Sequence, residues 1–122
     1  MTSEYRVTVD QGFTRVAYIG KVSYDTSTSM MRDLAKLSER GGQKFLIDLR
    51  NAEPSYSHVT PIQHVEEAPS LGLPGSNRTA LLGAEKDRTM LQYVENVAVN
   101  RGILVKAFVD ESEAVNWLRE DD

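Results

Sequence analysis

Apolar and polar residues alternate from Tyr5 to Asp10, with Tyr5, Val7 and Val9 set against Arg6 and Thr8. A period of two belongs to a strand covered on one face. Gln11-Gly12 follows and suits a tight turn, because glycine accepts the positive φ such turns need. Phe13 to Ile19 reads as a second strand, so the pair predicts a β-hairpin that Gly20 should end. The polar stretch Asp25-Thr-Ser-Thr-Ser29 then offers several helix N-caps. Met30, Met31, Leu34, Ala35 and Leu37 recur at helical spacing, and Gly41-Gly42 closes that helix. Phe45-Leu-Ile-Asp-Leu49 is a short, nearly continuous apolar run, the pattern of a central strand covered on both faces.

The second half repeats the alternation of strand and helix. Asn51 to Thr60 reads as a polar loop containing Pro54. Thr60-Pro-Ile-Gln63 has the form of a helix start, with a capping hydroxyl, a proline at the first helical position and a glutamine closing the box. Ile62, Val65 and Ala68 form a short apolar stripe that Pro69 stops, and Ser70 to Asn77 is a Gly/Pro-rich connector. Thr79-Ala-Leu-Leu82 predicts a fourth strand ended by Gly83. Glu85 to Arg101 predicts a helix with Met90, Leu91, Val94, Val97 and Ala98 on one face, and Gly102 as its stop. Ile103 to Val109 is the fifth strand. Asp110-Glu-Ser-Glu113 is a second capping box, leading into a helix that buries Ala114, Val115, Trp117 and Leu118.

The predicted order is β-β-α-β-α-β-α-β-α: an α/β domain with a five-stranded mixed sheet and about four helices. Strands separated by helices are parallel neighbours joined by right-handed crossovers, so only the first strand should run antiparallel. The 122 residues suit one domain spanning the whole chain. Composition narrows the chemistry. There is no cysteine, which excludes a disulfide framework, a thiolate metal site and a cysteine nucleophile. The net charge of −4, without a Lys/Arg-rich run, argues against nucleic acid as a partner. No apolar run approaches a membrane span, and the first residues carry no signal-peptide core, so the expected location is the cytoplasm. The glycines form neither a dinucleotide nor a Walker fingerprint, and no cofactor is implied.

Three stretches carry a resemblance to a known family. Gly12-Phe-Thr-Arg-Val16 with Gly20, Lys44-Phe-Leu-Ile-Asp-Leu-Arg50, and Arg101 to Phe108 followed by Glu113-Ala-Val-Asn-Trp-Leu118 resemble the opening hairpin, central strand and final strand–helix unit of SpoIIAA-like (STAS) domains. The resemblance covers nearly the whole chain and rests mostly on packing positions. It implies the STAS fold and a non-enzymatic binding or regulatory role. The well-understood members of that superfamily are anti-sigma factor antagonists with an Asp-Ser-Ser/Thr-Gly motif before the second helix, whose first serine a partner kinase phosphorylates. Here the matching loop is Ser55-Tyr-Ser-His-Val59. Ser57 falls on or next to the phosphorylated position, Tyr56 stands for the aspartate, His58 for the second hydroxyl, and Val59 or Thr60 for the glycine. Kinship of the SpoIIAA-like group with lipid-carrier domains implies ligand binding as the alternative role.

In open α/β sheets ligands bind beyond the carboxyl ends of the parallel strands. That edge should collect Tyr24, Glu53, Ser55, Tyr56, Ser57 and His58, next to a helix N-terminus able to receive an anion. These residues are the expected contact surface for a protein partner or a small acidic or apolar ligand. A carrier would instead need a cavity lined by Met30, Leu34, Ile62 and Val65. A hydrolase would need Ser57 and His58 convergent, with Asp48 as a third member. Adjacent residues seldom aim at one atom, and Asp48 lies two positions from Arg50, a natural ion-pair partner. His64 and Glu67 are too few ligands for a metal. An exposed edge strand offers a route to a homodimer.

Overall fold

The computed structural model describes residues 4–10, 12–22, 24–39, 44–54 and 78–120. The strands are β1 (Glu4–Asp10), β2 (Phe13–Val22), β3 (Lys44–Asp48), β4 (Ala52–Pro54), β5 (Arg78–Leu82) and β6 (Val105–Phe108). The helices are α1 (Tyr24–Glu39), α2 (Arg88–Asn100), preceded by a 3-10 turn at Glu85–Asp87, and α3 (Glu111–Arg119). The opening hairpin forms as its alternation predicts. β1 and β2 pair antiparallel from Glu4↔Ile19 to Asp10↔Phe13, and Gly12 takes a φ of 87° at the turn. The main sheet runs β1-β2-β3-β5-β6, and every neighbouring pair after the hairpin is parallel.

The pairing register decides which residues share a face. Thr14↔Phe45 and Val16↔Ile47 lie on one side, and Arg15↔Leu46 and Ala17↔Asp48 on the other. On the first side α1 lays Met30, Met31 and Leu34 over Val16, Tyr18 and Phe45. On the second side α3 lays Ala114 and Leu118 over Phe13, Leu46, Ala80 and Leu82. Covering both faces explains why β3 reads as a continuous apolar run. Leu46, Leu82 and Leu118 are fully buried, and burying each such side chain contributes about 1.5–3 kcal/mol. α2 packs on β6 and buries Leu91, Val94 and Ala98. Its approach is close at Gly83, where an added Cβ would run into Leu91 Cδ1.

The helix caps follow sequence in one case and not in another. Asp110 Oδ1 accepts from the Glu113 amide at 3.2 Å, as the capping box predicts. α1, however, starts at Tyr24, so Asp25 to Ser29 form its first turns instead of preceding it. β2 likewise does not stop at Gly20 but runs on to Val22.

The two edges of the sheet differ. Leu104 O accepts from Thr79 N at 3.1 Å and Phe108 O from Gly83 N at 3.0 Å, so these carbonyls face β5. Strand alternation then turns the Val105 and Ala107 amides outward. Both find internal acceptors: Val105 N donates to Ile103 O at 3.1 Å, and Ala107 N to Glu95 Oε1 at 2.6 Å. β6 is thus closed to a further strand that needs donors.

Three helices occur among the described residues. The helix expected to start at Thr60-Pro61, the connector from Ser70 to Asn77 and the His64/Glu67 pair lie outside them. No described helix is long and apolar enough to cross a membrane.

Candidate functional site

β4 sets the geometry of the expected edge. Sequence reads Asn51 to Thr60 as loop, but Ala52–Pro54 pairs parallel with the overhang of β2: Gly20↔Ala52, Lys21↔Glu53, Val22↔Pro54. Two details make this pairing form. Gly20, at φ 82°, redirects β2 just past its β3-paired stretch, a conformation that costs L residues about 1 kcal/mol or more. A tight turn then returns the chain: Ala52 N donates to Leu49 O at 3.1 Å and Gly20 N to Asn51 O at 3.2 Å. Pro54 ends the short strand, where the lack of an N–H is tolerated.

The consequence is a juxtaposition that sequence alone does not disclose. Val22 lies two residues before Tyr24, the first residue of α1, and Val22 pairs with Pro54, the residue before Ser55. The backbone therefore brings Tyr24 and Glu53 to one place and delivers the chain there into Ser55. Ser55, Tyr56, Ser57 and His58 themselves lie outside the described residues. Of the carrier's expected lining, Met30 and Leu34 are packed into the core beneath α1, while Ile62 and Val65 lie outside the described residues.

Asp48 ends β3 at this same edge and is held by Arg50. It accepts from Arg50 three times: from Nε at 3.0 Å, Nη2 at 2.8 Å and the backbone amide at 3.0 Å. Arg15 Nη1 stands 4.0 Å away. Burial alone would push the Asp48 carboxyl up, but the Arg50 hydrogen bonds and the two guanidinium charges outweigh it and hold the group below its ordinary range. Arg50 is pushed up chiefly by its bond to Asp48. As the spacing suggests, Asp48 pairs with Arg50, which takes three of the roughly four acceptor sites of its carboxylate.

Sequence reasoning missed the larger network around that pair. Glu111, in the first turn of α3, accepts from Arg50 Nη2 at 2.7 Å and from Arg15 Nη2 at 3.3 Å. Arg15 Nε also binds Asp10 at 3.1 Å. Asp10, Arg15, Glu111, Arg50 and Asp48 thus form one chain of ion pairs linking β1, β2, β3 and α3. Arg15 and Glu111 are 96 positions apart, and no local pattern announces such a contact. Among the described residues, no group of three or more His, Asp or Glu side chains could hold a metal ion.

Comparison with known proteins places the architecture. No family model and no curated protein matches the sequence. Solved structures do match, over nearly the whole chain. An anti-sigma factor antagonist from Mycobacterium paratuberculosis superposes with a TM-score of 0.66 at 11% identity, covering 98% of this chain and 96% of that one. An uncharacterised protein from Shewanella loihica with a SpoIIAA-like fold gives 0.62 at 16% identity, covering 95% and 93%. The anti-sigma factor antagonist SpoIIAA, in its unphosphorylated form, gives 0.57 at 13% identity, covering 97% and 100%. The fold is therefore the SpoIIAA-like, or STAS, fold, as the resemblance implied. At these identities the likeness speaks for architecture, and function rests on the site.

Proposed function

We propose that the chain is a non-enzymatic regulatory module that binds a protein partner through the edge formed by Tyr24, Glu53 and the Ser55–His58 segment. The observation that carries this reading is the Val22↔Pro54 register, which sets the start of α1 beside the entry to that segment. Two of the similar structures are anti-sigma factor antagonists, which supports a protein as the partner. The Asp48–Arg50 pair supports a binding role over a hydrolytic one, because the carboxylate that a triad would take as its third member is already bound to Arg50.

Ser57 is the residue that regulates the contact. A kinase moving a phosphoryl group from ATP to its hydroxyl oxygen, with release of ADP, adds about −1.5 to −2 charge three positions beyond Pro54. An acidic partner surface would then be repelled.

The test uses the intact chain as bait in cell extract, as wild type, Ser57→Ala and Ser57→Asp, with quantitative mass spectrometry of what each retains. The expected result is a protein held by wild type and Ser57→Ala and lost by Ser57→Asp. Identical retention by all three ends the switch. Loss of nothing from a further Tyr24→Ala/Glu53→Ala bait ends the assignment of the edge.

A further inference from the structure

The two edges of the sheet are not equivalent, and the open one is self-complementary. β6 has both outward amides satisfied internally, by Ile103 and Glu95. β1 is the opposite edge, and among the described residues no strand pairs with its outer side. β1 is also the longer edge, with seven residues against four. It presents Val9, 77% exposed, on the face that carries Tyr5 and Val7 beside α1. An unpaired strand edge with an exposed apolar residue is a template for another strand.

We infer that two copies of this chain associate by antiparallel pairing of β1 with β1, about a two-fold axis at Thr8. The sequence Glu4-Tyr-Arg-Val-Thr-Val-Asp10 selects that register from its neighbours. An axis at Val7 places Glu4 opposite Asp10, two like charges. An axis at Arg6 places Arg6 opposite itself. An axis at Thr8 places Arg6 opposite Asp10 twice, Val7 opposite Val9 twice, and Thr8 opposite Thr8. Opposite charges and apolar pairs directly across a strand pair stabilise it, and like charges destabilise it. A two-fold contact uses one patch on both copies, so each favourable pair occurs in duplicate. The exposed Val9 is covered by Val7 of the second copy on the α1 face. Arg6 meets Asp10 of the second copy on the α3 face, where Asp10 already receives Arg15. The two five-stranded paths join into one continuous sheet. Only residues 6–10 pair on each side, so the contact is small and belongs with the weak, reversible interfaces.

Sedimentation velocity over roughly 10–500 µM tests the proposal, a range chosen to bracket a weak interface. The wild type should shift from monomer to dimer across it. Arg6→Asp places two acidic residues opposite each other, and Asp10→Arg two arginines. Each variant alone should self-associate about tenfold more weakly. Mixed in equal amounts the two are complementary at both pairs, and the mixture should recover dimer. Val9→Lys, at an exposed position, should also weaken the dimer and keeps the test valid if Asp10→Arg misfolds on losing Arg15. A wild type that stays monomeric at the highest concentration overturns the inference. So does a dimer indifferent to Arg6→Asp and Val9→Lys, or a mixture no more associated than its components.

Discussion

Replacing Asp48 by alanine should cost the protein much of its stability at neutral pH and little in acid. The Asp48 side chain is 9% exposed and Arg50 40%, with the carboxylate taking three hydrogen bonds from that one residue. Breaking a buried ion pair costs about 3–5 kcal/mol when the surviving charge is stranded. Arg50 is not stranded, because it reaches water and keeps Glu111, which lowers the expected loss to about 2–3 kcal/mol. For a chain of this length that is a fall in melting temperature of roughly 10 °C. The acid side follows from the sign of the Asp48 shift. Its folded carboxyl titrates below the ordinary 3.8, so the unfolded chain takes up the proton first as pH falls. The stabilisation is therefore complete above that value and is lost as pH drops through the folded one. Urea unfolding followed by circular dichroism, at about pH 7 and at about pH 3, should show the gap between wild type and Asp48→Ala narrowing in acid. A loss under about 0.5 kcal/mol at neutral pH, or a gap that stays constant into acid, would refute the argument.

Three other outcomes follow from the packing and hydrogen bonds. Glu95→Ala removes the acceptor of the outward Ala107 amide, and hydrogen exchange at that amide should quicken by the equivalent of about 1–2 kcal/mol while β5 amides keep their protection. Gly83→Ala drives a methyl into the buried Leu91 side chain and should destabilise by about 1–3 kcal/mol in thermal melts; an unchanged melt would mean that Leu91 can turn aside. Burial and a hydrogen bond to Asp33 push the Tyr5 phenol up to about 12, so an ultraviolet titration should show a late-ionising tyrosine that Tyr5→Phe abolishes and Asp33→Asn brings down toward 10.0.

Periodicity made the fold legible because each pattern had a single physical solution. The alternation in Tyr5–Asp10, the apolar run in β3 and the Asp110–Glu113 box each correspond to the element observed. What periodicity missed was governed by contacts distant in sequence. β4 is three residues long and forms because β2 overhangs β3, so nothing in Ala52-Glu-Pro54 itself marks a strand. The Asp48–Arg50 pair was readable from its spacing of two, whereas Arg15 and Glu111 become neighbours only when α3 folds back over the sheet. Of the candidate site, Ser55 to His58 lie outside the described residues. Edge geometry selects Tyr24 and Glu53, and the register of β4 brings them together.

The order in which the chain is synthesised gives α3 a further importance. Every described strand of the sheet is complete at Phe108, yet among the described residues only α3 covers the face formed by Phe13, Leu46, Ala80 and Leu82. A nascent chain that has emerged as far as β6 can assemble its hydrogen-bonded ladder while that apolar face stays bare. Such surfaces draw chaperones or aggregate. The few residues after Asp110 therefore end the vulnerable interval of biosynthesis, and premature termination there should yield insoluble protein from an otherwise finished sheet.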